Sequence, residues 1–182
     1  MVAVRFPLLT APIAIGPLAL RNRMVLCPMG DDLANPDGTV SRAQLDHYEA
    51  RAAGGAGLLL VGSVSVAHPH GAHAAEQVAA SEDRHVAGLA ELADRAHRHG
   101  AAIGAQLVHA GPNAVLDIAE GRPMLVPAIP PRLGMDELST MVTPEEMEAM
   151  TGPFVRPGAT VAYRPADEDD LAAFLKALPR DV

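Results

Sequence analysis

The chain has 182 residues, 49% of them apolar and 20% charged, which suits one globular domain and excludes a disordered polymer or an integral-membrane composition. Lys and Arg total 14 against 22 Asp and Glu, a formal charge of −8 that argues against a nucleic-acid backbone as the main partner. The single Cys27 cannot form an internal disulfide, which fits a reducing compartment and a cytoplasmic location.

In chain order, "FPLLTAPIAIGPLAL" comes first, an apolar stretch behind Arg5, as a secretory signal would be. Pro7, Pro12, Gly16 and Pro17 interrupt it, so "AIGPLALRNR" predicts a short hairpin feeding the next strand. Residues 24–27 form a β-rich run that stops at Pro28, Met29 and Gly30, where the backbone can no longer pair as a strand. "SRAQLDHYEARAAGGAG" predicts a helix capped by Ser41, with Leu45, Tyr48 and Ala52 on one face, ended by Gly54 and Gly55. "GLLLVGSVSV" is a continuous apolar run ending at Gly62 and Ser63, the pattern of a strand buried on both faces of a parallel sheet.

Next, "SEDRHVAGLAELADRAHRHG" sets Val86, Leu89, Ala93 and Ala96 at helical spacing, with acids in the first turn, bases in the last and Gly100 as the stop. "AAIGAQLVHAG" reads as a third buried strand. Three βα repeats predict a parallel α/β fold, either doubly wound or a (β/α)8 barrel.

Some polar residues here point to chemistry. Sites on parallel α/β barrels lie at the C-terminal strand ends, which brings residues 27–30, Gly62 and Gln106 towards one cavity. Taken singly, Gln106 also reads as a loop cap, Gly62 as a strand stop, and Pro28 with Met29 as a turn carrying a core methionine. "HPHGAH" gathers His68, His70 and His73, with His109 on another strand end, enough imidazoles for a metal site. Pro69, Gly71 and the lack of a neighbouring carboxylate to orient the rings predict a solvated loop instead, and no metal ligand is assigned.

"LALRNRMVLCPMG", "HYEARAAGGAGLLLVGSVSV" and "HGAAIGAQLVHAG", in this order and spacing, resemble the N-terminal half of the old yellow enzyme family. The nearest branch is the NADH:flavin oxidoreductases related to 2,4-dienoyl-CoA reductase, and the match covers about residues 5–150. The resemblance implies part of an FMN-binding (β/α)8 TIM barrel: about the first three to four βα units, an N-terminal hairpin and a divergent C-terminal helix. It implies FMN as cofactor, NAD(P)H as hydride donor and an α,β-unsaturated carbonyl or enoyl substrate.

The implied cofactor-binding residues are Cys27, Pro28, Met29, Gly30, Gly62 and Gln106. A primary amide such as Gln106 presents donor and acceptor together to a flavin's uracil edge, and glycines with bare backbone let a flat ring come close. Three positions depart from relatives. A redox-tuning thiol of one branch stands where this sequence has Gly30, so Cys27 is expected to be a buried strand-end thiol. A substrate-facing Tyr is replaced by Asp32, and the family's "HAGR" reads "HAGP", with Pro112.

Beyond residue 150 the resemblance ends, dividing the chain into 1–150, barrel half, and 151–182, divergent tail. "TPEEMEAM" starts a helix with Thr143 as cap, Pro144 in the first turn and Glu146 closing a capping box. In the family that helix leads to a strand ending in a His-x-x-His or His-x-x-Asn pair that binds the substrate carbonyl. Here Gly152, Pro153, Pro157 and Gly158 break it and no His follows His109, so no catalytic residue is assigned.

The tail predicts a strand over 159–163 and an amphipathic helix with Leu171, Phe174, Leu175 and Leu178 inward, Asp167 to Asp170 at its start and Lys176 near its end. Half a barrel has two open edges, which predicts self-association or a completing chain, and a truncated form inactive alone. Expected partners are FMN and a small-molecule substrate, with no nucleic acid and no membrane. The alternative is a non-catalytic half-barrel remnant or interaction module.

Overall fold

The structure is a computed structural model that describes residues 6–114, 117, 124–126, 143, 163–165 and 167–177. It opens on one helical turn, α1 (Pro7–Thr10), with Pro7 in the first turn, where its missing N–H leaves no bond unmade. The expected hairpin follows: β1 (Ile13–Ile15) pairs antiparallel with β2 (Leu18–Leu20), Ile15 opposite Leu18. Gly16 takes φ +57 at the first loop position, the left-handed conformation that two-residue hairpin loops require.

The basic turn behind the hairpin fastens the far end of the domain. The Arg21 guanidinium donates to the carbonyls of Ala52 and Ala56, both at 2.8 Å, and to that of His99. Those carbonyls lie at and just beyond the C-terminal ends of α2 (Arg42–Ala53) and α3 (Val86–Arg98), where a cation meets orphan acceptors and the negative end of each helix dipole. Asn22 adds a bond to the Gly55 carbonyl at 2.8 Å and accepts from the Met24 N–H at 3.0 Å.

Three parallel strands follow in the order β3 (Val25–Leu26), β4 (Leu58–Ser65), β5 (Ala102–Val108). Leu26, Leu59 and Ile103 share one register row and face the helices; Val25, Leu58 and Ala102 share the neighbouring row and face the other way. The core fills the gap between this sheet and α2 and α3, around Leu45, Tyr48, Ala52, Leu59, Val61 and Leu92. Ser41 caps α2 as expected, its hydroxyl accepting from the Gln44 N–H at 3.1 Å. The buried face of α2 is the expected Leu45, Tyr48 and Ala52, with Gln44 added.

Several expectations need correction. The first strand pairs over two residues rather than 24–27. The second does not stop at Gly62 and Ser63 but runs to Ser65, because two residues there oppose Gln106 alone: Val61 pairs with Ala105 and Val64 with Leu107. This is a bulge, which keeps the strand going while re-aiming its side chains; the Gly62–Ser63 and His68–Pro69 peptides are both cis. The acids before α3 belong to a 3-10 turn, Asp83–His85, closed by a capping box between Glu82 and His85. On α3 the buried residues are Leu92, Arg95 and Ala96, while Val86 is 61% exposed. The third strand is not buried throughout; Ala105, Gln106 and Leu107 are exposed, since no described strand covers that edge.

In the tail, β6 (Met124–Val126) pairs in parallel with β7 (Tyr163–Pro165), and α4 (Glu168–Ala177) follows. Acids in its first turn and Lys176 in its last match the dipole reading, but Leu171 is exposed rather than inward. The helix expected after Thr143, the breakers at 152, 153, 157 and 158, and residues 159–162 of the expected strand lie outside the described residues, as does Leu178. No helix among the described residues is long and apolar enough to cross a membrane.

Candidate functional site

Two long βα segments meet above the C-terminal ends of the strands. The 27–41 segment leaves β3 and the 66–82 segment leaves β4; they are tied by the Ala34 N–H to the Glu76 carbonyl at 3.0 Å and the Ala79 N–H to the Gly38 carbonyl at 2.9 Å. Gly38 has φ +79, and a Cβ there would lie 2.8 Å from that of Ala79, so this contact requires glycine twice over.

Pro28 and Met29 rest directly on Gly62. A Cβ at Gly62 would stand 2.3 Å from the Pro28 Cβ and 2.6 Å from the Met29 nitrogen. Residues 28–30 and Gly62 therefore share one strand-end surface, and the bulge sets Gln106 beside Gly62 in the register. Gln106, Met29 and Gly30 are all exposed there; Met29, at 63%, is not a core methionine. Cys27 is exposed, correcting the expected buried thiol: continuing the register beyond Leu26 puts it on the face turned away from the helices, which no described element covers.

What holds this surface has no signature in local sequence pattern. The Asp31 carboxylate accepts from the Gln44 side-chain amide at 3.0 and 3.2 Å and from the Leu33 N–H at 3.1 Å, anchoring the segment after β3 to α2. Tyr48, 2% exposed, accepts from the Gly62 N–H at 3.4 Å and hydrogen-bonds Asp31. Burial, then the Asp31 charge, push its phenol far up, so Tyr48 stays protonated and donates to that carboxylate. One buried hydroxyl thus links the segment after β3 to the bulge in β4.

The histidines divide. His68 is buried, with Nε2 against the Ala75 carbonyl at 3.3 Å, and burial pushes its imidazole down. His70 does have an orienting carboxylate, contrary to expectation: Asp117 lies 3.0 Å from Nδ1 and also accepts from the Gly71 N–H at 2.9 Å. That partner is 47 residues away, beyond the reach of local pattern. The His109 ring packs on Gly71, where a Cβ would come within 2.4 Å of it, and His73 stands beside Gly30. Among the described residues no group of three or more metal-ligating side chains converges.

Residues 8–153 match the model of the NADH:flavin oxidoreductase / NADH oxidase family. The chain belongs to that family. It is 39% identical over 150 residues to an NADH oxidase of Thermoanaerobacter brockii, covering 82% of this chain and 23% of that one. Against an NADPH dehydrogenase of Bacillus subtilis it is 34% identical over 142 residues, covering 78% and 39%. The old yellow enzyme of Pichia sp. AKU4542 superposes with a TM-score of 0.69 at 23% identity, over 93% of this chain and 40% of that one. The fold is accordingly part of an old yellow enzyme TIM barrel, with no closed barrel among the described residues.

Members of this family use FMN with NAD(P)H as hydride donor. The strand-end surface is compatible with a flat ring: Met29 and Gly30 are exposed, Gly62 removes the side chain that would hold residues 28 and 29 away, and Gln106, also exposed, stands opposite Gly62 in the register with an amide that can both donate and accept.

Proposed function

We propose that this chain carries the flavin-edge platform of an FMN-dependent NAD(P)H oxidoreductase of old yellow enzyme type, acting on α,β-unsaturated carbonyl or enoyl compounds. The chain spans 23% and 39% of the two relatives named above, so the activity of a whole barrel is part of this proposal. The observation that carries it is the convergence of exposed Met29 and Gly30, a side-chain-free Gly62 packed on Pro28, and exposed Gln106 on one surface.

Met29 and Gly30 offer main-chain polar groups to the ring edge, and Gln106 adds a donor and an acceptor in one plane. Cys27 and Pro28 set the direction of that main chain. Tyr48 and Asp31 hold the two strand ends at fixed separation, so the donors are preorganised before a ligand arrives. When bound, FMN supplies reversible hydride storage between NAD(P)H and an electron-poor alkene.

The rest of such a site must come from elsewhere in a barrel. Phosphate sites of these barrels use the loops after strands seven and eight, and a polarising His pair has no counterpart after His109. An apolar groove of about 490 Å³ runs between α3 and the edge of β5 that no described strand covers, lined by Val86, Leu89, Ile103 and Leu107. Its position is where the next helix of a barrel packs, which supports completion by further βα units, with a second copy as the competing occupant. The lack of a His after His109 favours a second reading, a non-catalytic half-barrel that keeps the platform without the chemistry. A cytoplasmic location accords with the single exposed cysteine.

The test is a titration of FMN with the purified chain, followed by flavin fluorescence anisotropy, beside Gln106→Ala and the surface control Arg42→Ala. The reading expects saturable binding by wild type and control, weakened roughly tenfold (about 1.4 kcal/mol) by Gln106→Ala. Equal affinities in all three, or no binding by a folded chain, would leave the non-catalytic module.

A further inference from the structure

A histidine stands at the edge of the strand-end surface. The segment leaving β4 returns across the strand end and brings His73 beside Gly30; a Cβ on Gly30 would lie 3.3 Å from His73 Nε2, so the missing side chain leaves room for this ring. Behind it sits Gln77, 3% exposed. The Gln77 Oε1 accepts from the His73 backbone N–H at 2.9 Å, and since that group can only donate, the amide's orientation is fixed. Its Nε2 then donates to the Ser63 carbonyl and the Ser63 hydroxyl, each at 3.0 Å.

This arrangement bears on where the imidazole proton sits. Ser63 Oγ accepts from Gln77 and keeps one hydrogen and one lone pair for its other neighbour, His73 Nδ1, at 3.4 Å; the bond satisfies the hydroxyl's donor when that hydrogen points at Nδ1. In that direction Nδ1 is the acceptor, and a neutral ring carries its proton on Nε2. Nε2 is the atom facing Gly30, and among the described residues it has no hydrogen-bond partner.

We propose that Ser63 and Gln77 hold His73 as the Nε2–H tautomer, so that it donates a hydrogen bond to a carbonyl oxygen of a ligand bound against residues 28–30. The inference rests on the reading of this surface as a flavin site. The carbonyl can belong to the flavin ring or to an α,β-unsaturated carbonyl compound lying on it; the chemistry recognised is the same.

The experiment is long-range 1H–15N correlation of the chain labelled with 15N-histidine, His73 being identified by its loss in His73→Gln. Without ligand, the expected spectrum has an unprotonated Nδ1 and a protonated Nε2, with Ser63→Ala shifting the population towards the other tautomer. A protonated Nδ1 in the wild type, or a Ser63→Ala spectrum identical to it, overturns the proposal.

FMN is then added, followed by cyclohex-2-enone, with the Gln106 side-chain amide as an independent reporter of ring binding. A His73 Nε2 shift with FMN assigns the ring carbonyl as acceptor; a shift only after cyclohex-2-enone assigns the substrate carbonyl. Movement of Gln106 while His73 stays fixed in both additions overturns the role of His73 alone. If neither residue moves, the flavin reading of the surface fails and this inference falls with it.

Discussion

Replacing Gly62 by Ala tests the close approach on which the strand-end surface depends. The added Cβ would lie 2.3 Å from the Pro28 Cβ, and 2.6 Å from both the Pro28 Cα and the Met29 nitrogen. Ordinary carbon contacts begin near 3.5 Å, so the chain after β3 would have to retreat by about 1 Å. Two of the three obstacles are backbone, which no rotamer change can move, and β4 is held from behind by the Tyr48 bond to the Gly62 N–H.

Overpacking of this kind costs typically 1–3 kcal/mol, and a backbone obstacle puts the expected loss at about 2 to 3. With a urea m-value of about 2 kcal/mol/M, the unfolding midpoint of Gly62→Ala should fall by about 1 M. Gly104→Ala is the control: its Cβ would meet only the tip of the Leu60 side chain, at 3.2 Å, and its midpoint should fall much less. Circular dichroism against urea reads both. Equal midpoints for Gly62→Ala and wild type would refute the packing argument, and with it the reason for a glycine at this position.

Removing the α2 cap by Ser41→Ala loses the bond from the Gln44 N–H and should lower stability by about 1 kcal/mol, read in the same urea titration. Acidification should destabilise in two stages. Burial depresses the His68 and His109 imidazoles below their ordinary 6.5, so the unfolded chain takes up protons that the folded chain refuses, and the midpoint falls between about pH 7 and about pH 5. The Asp46 carboxyl, held down chiefly by Arg42, and that of Glu49, held down chiefly by His99, add stability that is full above the usual carboxylate range and lost as pH drops through their lowered values. A midpoint that rises between about pH 7 and about pH 5 would contradict the first stage.

What could be read from the sequence was what depends on neighbours a few residues away. The Gly16 hairpin, the Ser41 cap, the Leu45, Tyr48 and Ala52 face and the order of strands and helices follow from local period and local chemistry. Exposure was harder, because it depends on what else covers a face. Val86 and Leu107 have the pattern of core residues but border a groove, and Cys27 lies on a sheet face that no described element covers.

The bulge at Gly62 and Ser63 was not legible either, since it arises from pairing with a strand some 40 residues on. At the site, Gly62 and Gln106 were conspicuous as strand-end residues. Asp31 and Gln77 were not, and Tyr48, Ser63 and His73 stood out only as a helix-face residue, a strand stop and one of a histidine run, because the bonds that join them span loops that carry no periodic signal.

The most direct test of the account is the visible absorption spectrum of the purified chain after incubation with FMN and desalting, repeated with Gln106→Ala. The account predicts flavin bands that stay with the wild-type protein and are lost in the variant, while the far-ultraviolet circular dichroism of the two is unchanged. A folded wild-type chain that emerges colourless, or a Gln106→Ala chain that keeps the bands equally well, would contradict the claim that this strand-end surface holds the flavin edge.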